Sequence, residues 1–234
     1  MSEEKEIKIR ILDKISMAEV KTALEKTFKV KFQTPTQDTD EYYDLENNYY
    51  FKLNQGLRIR NDSELAFKAL FNIPEKTQNP WFVFEKEFNI PISKQAIMEI
   101  FNFANIVCDF PLPGELNIVK LKQILNKINF VKQMKISKTR QSAKNENGLI
   151  CIDSVNELGL FIELEAKEDS YLDIFRTQLP FKFEEIRHGY TYLYAKEIMN
   201  IEVPTFKENF LNDPDWNFLK NQKEIISKLI QKEK

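Results

Sequence analysis

Several chemistries are excluded by what this chain has little of. Its 234 residues include one histidine, two cysteines and five glycines. Neither GxGxxG nor GxxxxGK[ST] occurs, so a glycine-rich loop that cradles phosphates is excluded. A serine or cysteine nucleophile activated by histidine would have to use His188, and no GxSxG turn is present. Any phosphate bound by this protein must therefore be held by side chains and metal ions.

The chain also lacks signals of secretion, membrane insertion and nucleic-acid binding. Cys108 and Cys151 have no metal-ligand spacing and are expected to be reduced core residues. No apolar run approaches the roughly 18 residues of a membrane helix, and the polar residues 1–10 are not expected to act as a signal peptide. The net charge of −2 gives no bulk basic field for nucleic acid. We expect a cytoplasmic monomer or homodimer without membrane or nucleic-acid partners.

Pairs of like charges two residues apart recur along the sequence. They are Glu4 and Glu6, Arg58 and Arg60, Glu85 and Glu87, Lys138 and Arg140, and Glu163 and Glu165, and Lys8 continues the first pair. Side chains alternate along a β-strand, so each pair points to one face of a sheet. The neighbours that point the other way are often apolar: Ile7, Ile9, Leu57, Ile59, Phe84, Phe88, Ile162 and Leu164. The pattern predicts strands with one apolar face and one charged face.

The sorting of these charges by sign distinguishes two interpretations of the charged face. The solvated outer face of an antiparallel sheet would explain the alternation alone. However, like charges about 6–7 Å apart repel by about 0.6 kcal/mol in water and about 2.5 kcal/mol at an effective dielectric constant near 20. A face that holds an anion beside a metal ion has a use for both kinds of pair, because cations bind the anion and carboxylates bind the metal.

The remaining pattern predicts an α+β fold with antiparallel strands. Strands are predicted at 3–12, 56–61, 64–71, 81–89, 130–141, 148–155 and 159–167, and helices at 17–28, 93–103, 115–129, 170–178 and 189–199. Ser16 and Glu19 form a capping box before the first helix. A flat sheet would leave the charged face in water, whereas a closed barrel would place it inside, filled by water, metal and ligand.

The order of the charged motifs resembles the CYTH family, the triphosphate tunnel metalloenzymes. Glu4-Lys5-Glu6-Ile7-Lys8 resembles its ExExK signature, and Asp40-Glu41-Tyr42-Tyr43-Asp44 resembles its DxYYD strand. Leu57–Arg60, Lys68, Glu85–Glu87, Lys138–Arg140, Asp153 and Leu158–Glu165 follow in the order of the family. The resemblance implies an eight-stranded antiparallel β-barrel tunnel with flanking helices over residues 1–200. Residues 201–234 would be a helical extension packed on it.

The resemblance also implies a role for each charged residue. The ligands of Mg²⁺ or Mn²⁺ would be Glu4, Glu6, Asp153, Glu163 and Glu165. The triphosphate would be bound by Lys8, Arg58, Arg60, Lys68, Lys138, Arg140 and Arg187, with Glu85 and Glu87 holding the basic side chains in place. Catalysis would use Glu163 and Asp153, which would hold a second ion that activates water, and Lys8 at the terminal phosphate. A tyrosine near the last helix is also expected, and Tyr192 is the approximate candidate.

Three functions remain open on the sequence alone. The first is hydrolysis of inorganic triphosphate, thiamine triphosphate or a nucleoside triphosphate by water. The second is a class IV adenylate cyclase, in which the ribose 3′-hydroxyl of ATP attacks and pyrophosphate leaves. The third is a non-catalytic module that binds triphosphate or polyphosphate. Hydrolysis is preferred because it requires only the tunnel. The family often has an arginine where this chain has Val83, and this difference weakens the assignment of a substrate.

Overall fold

The structure is a computed structural model, and it describes residues 5–53, 55–72, 81–186 and 189–201. These residues divide into two compact units. The first unit contains residues 5–39 and 136–201, and the second contains residues 40–135. The predictions for Glu4, for Arg187 and for the extension beyond residue 201 lie outside the described residues.

Strands and helices follow each other along the chain in the mixed order predicted for an α+β fold. The elements are β1 (Lys5–Ile11), α1 (Met17–Phe28), β2 (Thr36–Asp44), α2 (Tyr49–Lys52), β3 (Gln55–Arg60), β4 (Glu64–Asn72), β5 (Trp81–Asn89), β6 (Ile92–Ser93), α3 (Lys94–Phe103), β7 (Glu115–Leu116), α4 (Ile118–Lys127), β8 (Val131–Lys144), β9 (Gly148–Val155), β10 (Gly159–Ala166), α5 (Asp169–Gln178), β11 (Phe183–Ile186) and α6 (Tyr190–Glu197). No described helix has the length and hydropathy needed to cross a bilayer.

The first unit is an antiparallel sheet with helices on its apolar face. The strand order is β11-β1-β10-β9-β8, and each pairing with a described register is antiparallel. Ile9, Ile152 and Ile162 are fully buried in its core. Val20 and Leu24 of α1 and Phe175 of α5 belong to the same apolar cluster. Burial of this face leaves the other face of the strands to the charged side chains, as the alternation predicts.

The second unit repeats this arrangement with a different set of helices. Strands β2, β3, β4 and β5 are antiparallel neighbours in that order. The apolar face of these strands includes Leu57, Ile59 and Phe67, which are buried and cluster with residues of α3 and α4. Each of these two helices begins at a polar cap, because Ser93 accepts a hydrogen bond from the backbone of Ala96 and Asn117 accepts one from that of Lys120.

The α+β class and the antiparallel strands are confirmed, while closure of the strands into an eight-stranded tunnel stays a prediction. The capping box of α1 is present, with Ser16 and Glu19 each bonded to the other's backbone. The helix predicted at 115–129 begins later, at Ile118, because Glu115 and Leu116 pair with β6 as a short strand. Strand β11 is an addition, and it pairs with β1 at the edge of the first sheet.

Candidate functional site

The register of the first unit places charged residues of different strands opposite one another. Glu6 lies opposite Glu165, and Lys8 lies opposite Glu163, in the pairing of β1 with β10. On the next two strands, Arg140 of β8 lies opposite Asp153 of β9. The set formed by Glu6, Lys8, Lys138, Arg140, Asp153, Glu163 and Glu165 is called the acid–base face below. Seven of the residues predicted for the site therefore lie together on one face of the first sheet.

Asp153 is the most deeply buried member of the acid–base face, with none of its surface exposed. Arg140 donates to both of its oxygens, from Nε to Oδ1 at 2.7 Å and from Nη2 to Oδ2 at 2.5 Å. The hydroxyl of Tyr190 donates to Oδ2 at 2.8 Å, and Lys138 Nζ lies 3.7 Å from the same atom. Although burial opposes the charge of Arg140, its contacts with the Asp153 carboxylate raise the pKa of its guanidinium, which stays ionised.

Glu163 links two cations of the same face. Its Oε1 lies 3.1 Å from Lys8 Nζ, and its Oε2 accepts from Arg140 Nη2. Burial would raise the pKa of Glu163, but the positive charges of Lys8, Arg140 and Lys138 outweigh burial and lower the pKa to about 2. The side chain therefore stays ionised throughout the physiological range.

Tyr190, at the start of α6, is a member of this site that the sequence analysis missed. The resemblance indicated Tyr192, two residues further on. The Tyr190 ring lies beneath Lys8 Nζ at 4.6 Å and Lys138 Nζ at 5.6 Å, within the range of cation–π contacts. It also packs edge-on against Phe161, with ring centroids 5.0 Å apart. Burial, followed by the charge of Asp153, raises the pKa of the phenol, which therefore remains a hydrogen-bond donor.

Arg10 connects the same strand to the other end of α6. It donates to both carboxylate oxygens of Glu197 at 2.9 Å, and its Nη1 lies 3.4 Å from Glu184 on β11. Its guanidinium also lies over the Phe161 ring, 5.1 Å from the centroid. Arg10 alternates with Lys8 on β1 and so belongs to the same side of the strand. Its contacts fix α6, and with it Tyr190, against the sheet.

Two arginines of β3 lie among acidic side chains in the second unit. Arg60 donates to Asp40 through Nε at 2.7 Å and Nη2 at 2.9 Å, a bidentate pair that the register of β2 and β3 predicts. Arg58 donates through Nη2 to Glu64 at 2.8 Å and to Glu87 at 3.0 Å. Its Nε is buried and has no hydrogen-bond partner among the residues that the structure describes. Burial and the charge of Arg60 lower the pKa of Arg58, but Tyr42 and the neighbouring acidic groups outweigh them, so the pKa lies above its ordinary value.

Lys68 and Glu85 form the more exposed part of this second set. They lie opposite each other in the pairing of β4 with β5, and their charged atoms are 3.2 Å apart. The Lys68 side chain is 58% exposed, so its contribution to stability is small. Glu85 and Glu87 were predicted to hold basic side chains in place, and each contacts a basic side chain. Glu85 contacts Lys68, and Glu87 contacts Arg58. We call Asp40, Arg58, Arg60, Glu64, Lys68, Glu85 and Glu87 the arginine face.

The described residues include carboxylates of the kind predicted to bind a metal, but these carboxylates do not form a cluster that could hold an ion. Among residues 5–53, 55–72, 81–186 and 189–201, no three His, Cys, Asp or Glu side chains are arranged to hold an ion. Glu6 and Glu165, at directly opposed positions of β1 and β10, supply carboxylates, the hard oxygen donors that Mg²⁺ and Mn²⁺ prefer. Their donor type fits the metal. Asp153 and Glu163, by contrast, already contact cations of the chain.

Comparison with known proteins identifies what the chain is similar to. The CYTH domain model matches residues 2–189, which is most of the chain. The PH1819 protein from Pyrococcus horikoshii superposes with a TM-score of 0.51 at 22% identity, over 82% of this chain and 99% of that one. HpAC1 from Hippeastrum, named for adenylyl cyclase and described as revealing a dominant triphosphatase activity, superposes with a TM-score of 0.53 at 15% identity. That match covers 86% of this chain and 98% of HpAC1. No curated protein sequence matches.

Proposed function

This chain belongs to the CYTH family, and we propose that it hydrolyses a triphosphate with the help of Mg²⁺ or Mn²⁺. The substrate class comprises inorganic triphosphate, thiamine triphosphate and nucleoside triphosphates. Water attacks the terminal phosphorus, and the bond from that phosphorus to the bridging oxygen breaks. The bridging oxygen leaves with the diphosphate end of the substrate, and the attacked phosphorus is released as orthophosphate. For inorganic triphosphate the second product is diphosphate.

The proposal rests on the charges at two neighbouring cross-strand positions of the acid–base face: an acid–acid pair at one position and a base–acid pair at the next. Glu6 and Glu165 form an acidic pair, and two residues further along β1, Lys8 lies opposite Glu163. A triphosphate chelated to a divalent cation carries both positive and negative charge within a few ångströms. A face that binds only an anion has no use for the acidic pair, and a face that binds only a metal has no use for the lysine.

The cations of the acid–base face are buried enough to act strongly on a phosphate. Only 15% of the Lys8 side chain, 8% of Lys138 and 24% of Arg140 are exposed. A charge removed from bulk water interacts with a bound anion through a lower effective dielectric constant. Lys8 and Lys138 lie over one ring, that of Tyr190, which restricts where the two ammonium groups can move. We assign them to the phosphoryl oxygens, with Lys8 at the terminal group.

The arginines of the second unit are suited to further phosphate oxygens. Guanidinium groups bind phosphate with two parallel hydrogen bonds, and Arg60 already presents its fork to Asp40 in this geometry. Arg58 retains a buried Nε donor that lies 3.9 Å from Asp40 Oδ1 and has no hydrogen-bond partner among the described groups. Lys68 is exposed and acts as a mobile point charge. These residues are assigned to the triphosphate path, as the resemblance implies.

Glu6 and Glu165 are assigned to the metal ion, together with Glu4. A bound Mg²⁺ or Mn²⁺ would neutralise phosphate charge and lower the pKa of a coordinated water. The carboxylate oxygens of these three residues would coordinate the ion. The terminal phosphoryl group would then be oriented beside Lys8. Phosphoryl transfer depends mainly on positioning and charge stabilisation, so the chain needs no covalent nucleophile.

A product assay tests the proposed function. The purified chain is incubated with inorganic triphosphate, thiamine triphosphate or ATP in the presence of Mg²⁺ or Mn²⁺. Orthophosphate, diphosphate and cyclic AMP are measured separately, because HpAC1 shares the fold and is described with reference to both activities. Release of orthophosphate supports hydrolysis. Cyclic AMP with diphosphate would instead establish a cyclase, and triphosphate binding without turnover would establish a non-catalytic module.

A further inference from the structure

We propose that Asp153 and Glu163 are positioning residues that hold Arg140 and Lys8 for the substrate, and that neither binds a second metal ion. This inference rests on the proposed function and changes the role that the family resemblance implies for these two acids. It leaves one metal ion, the one assigned above to Glu4, Glu6 and Glu165.

The first observation is that hydrogen-bond donors of the chain already occupy the Asp153 carboxylate. Three hydrogen bonds reach its two oxygens, two from Arg140 and one from Tyr190. Lys138 adds a fourth polar neighbour at 3.7 Å. A carboxylate accepts about four hydrogen bonds in all, so little capacity remains for a metal. The geometry is the fork-to-carboxylate arrangement that fixes the plane of a guanidinium.

The second observation concerns what a metal at Asp153 would displace. Arg140 also contacts Glu163, so a metal ion shared by these two acids would take both partners from one guanidinium. A partly buried cation that loses its partners destabilises the structure. Tyr190 would lose its acceptor as well, while its ring is held by Phe161. A metal would therefore have to replace a complete network rather than enter a prepared site.

The third observation is the contrast between the two acidic pairs of the same sheet. Glu163 is divided between two cations, with Oε1 on Lys8 and Oε2 on Arg140. Glu6 and Glu165 instead occupy directly opposed positions in the pairing of β1 with β10. Like charges in directly opposed positions destabilise a sheet. A divalent cation would offset that repulsion at Glu6 and Glu165, whereas the residue directly opposite Glu163 is the cationic Lys8.

Direct measurement of Mn²⁺ binding separates the two roles. Free Mn²⁺ is followed by electron paramagnetic resonance during titration of the full chain without substrate. The variants are Asp153→Asn, Glu165→Gln and, as a matched control, Asp173→Asn, which alters an exposed residue that contacts Arg176. We expect one ion per wild-type chain and a tenfold or greater loss of affinity in Glu165→Gln. The affinity of Asp153→Asn should stay within twofold of the wild type.

The steady-state constants for inorganic triphosphate give the second readout. Loss of the Asp153 carboxylate frees the Arg140 fork, so Asp153→Asn should raise KM tenfold or more. In an Arg140→Lys background, which already lacks the fork, the same substitution should change KM less than threefold, since the two residues act as one unit. A ligand of a second metal ion would give equal effects of Asp153→Asn in both backgrounds.

Three results would overturn the inference. They are two Mn²⁺ ions per wild-type chain, no Mn²⁺ bound to the wild type, or a loss of Mn²⁺ affinity in Asp153→Asn that equals the loss in Glu165→Gln. The ion count of the wild type decides the question even if Asp153→Asn fails to fold. Failure of the proposed function is a different outcome, because the wild-type chain would then release no orthophosphate from any triphosphate, whatever number of Mn²⁺ ions it binds.

Discussion

Glu6 and Glu165 lie directly opposite each other in the antiparallel pairing of β1 and β10. In such pairs the Cβ atoms are about 4.5–5.5 Å apart, so two carboxylates can reach a common cation. The next residues on the same side of the two strands, Lys8 and Glu163, have opposite charges. The acidic pair is therefore a local feature of one cross-strand position, and it is the place where a metal is expected to act.

Binding of a divalent cation should stabilise the wild-type fold. An ion that binds only the native state at 100 times its Kd adds about 2.7 kcal/mol to the free energy of unfolding. We expect Mn²⁺ to raise the thermal midpoint by several degrees, and Glu6→Gln to remove most of that increase. Glu46→Gln, at an exposed position before α2, is the matched control and should keep the full shift. An equal shift in all three proteins would contradict the metal assignment.

Substitution of Arg60 should weaken triphosphate binding more than it slows the chemical step. Arg60→Ala removes the guanidinium that pairs with Asp40, and we expect KM for triphosphate to rise about tenfold or more, the effect of one lost charge-assisted contact. Arg60→Lys keeps the positive charge but loses the two parallel hydrogen-bond donors, so its KM should lie between the values of the wild type and Arg60→Ala. Steady-state kinetics give KM and kcat for each variant, and Arg176→Ala on α5 is the control. An unchanged KM in Arg60→Ala would remove this residue from the triphosphate path.

Removal of the Tyr190 hydroxyl should destabilise the chain without displacing the ring. Tyr190→Phe takes one donor from the buried Asp153, which costs about 1–2 kcal/mol. Tyr190→Leu also removes the ring beneath Lys8 and Lys138 and should cost more. Urea unfolding at neutral pH gives both differences. Tyr194→Phe, whose hydroxyl donates to the exposed Glu157, is the matched control and should lose less stability than Tyr190→Phe.

Glu41 should make the stability of the second unit depend on pH in the acid range. Burial opposes its charge, but hydrogen bonds from Lys122, Lys132 and Tyr43 lower its pKa from 4.5 to about 2. A carboxylate with a lowered folded-state pKa stabilises the native state above its unfolded-state pKa, and that contribution is lost as the pH falls towards 2. After allowance for solvent near the lysines, it amounts to about 1–2 kcal/mol.

Comparison of the wild type with Glu41→Gln isolates this contribution. Urea unfolding is measured at pH 7, 5, 4 and 3. The wild type should be more stable than Glu41→Gln at pH 7 and 5, and the difference should shrink between pH 4.5 and pH 2. A difference that stays constant down to pH 3 would show that the carboxylate charge is not its source.

Local patterns were sufficient to predict most strands and the faces to which their side chains point. Alternation of Ile7 and Ile9 with Glu6 and Lys8 predicted β1, because a strand repeats its side-chain direction every two residues. Ser16 and Glu19 predicted the start of α1, since both partners of a capping box lie within four residues. These features depend on short stretches of chain, so a single sequence is enough to find them.

Contacts between distant segments were harder to predict. Tyr190 reaches Asp153 from 37 residues away in sequence and from a helix whose own apolar pattern is weak. Strand β11 has four residues and little alternation, and it is specified by its pairing with β1. The assignment of Asp153 as a metal ligand came from its acidic side chain and its place in the motif order. That order contains no information about which cation, of the metal or of the protein, its oxygens contact.

The central claim is tested most directly by phosphorus NMR of inorganic triphosphate incubated with the chain and Mg²⁺. We predict one orthophosphate and one diphosphate for each triphosphate consumed, no turnover after chelation of the metal, and at least a hundredfold loss of turnover in Glu6→Gln with Glu46→Gln unaffected. Intact triphosphate after prolonged incubation of the folded wild-type chain with Mg²⁺ and with Mn²⁺, together with no release of orthophosphate from thiamine triphosphate or ATP, would contradict the proposed function.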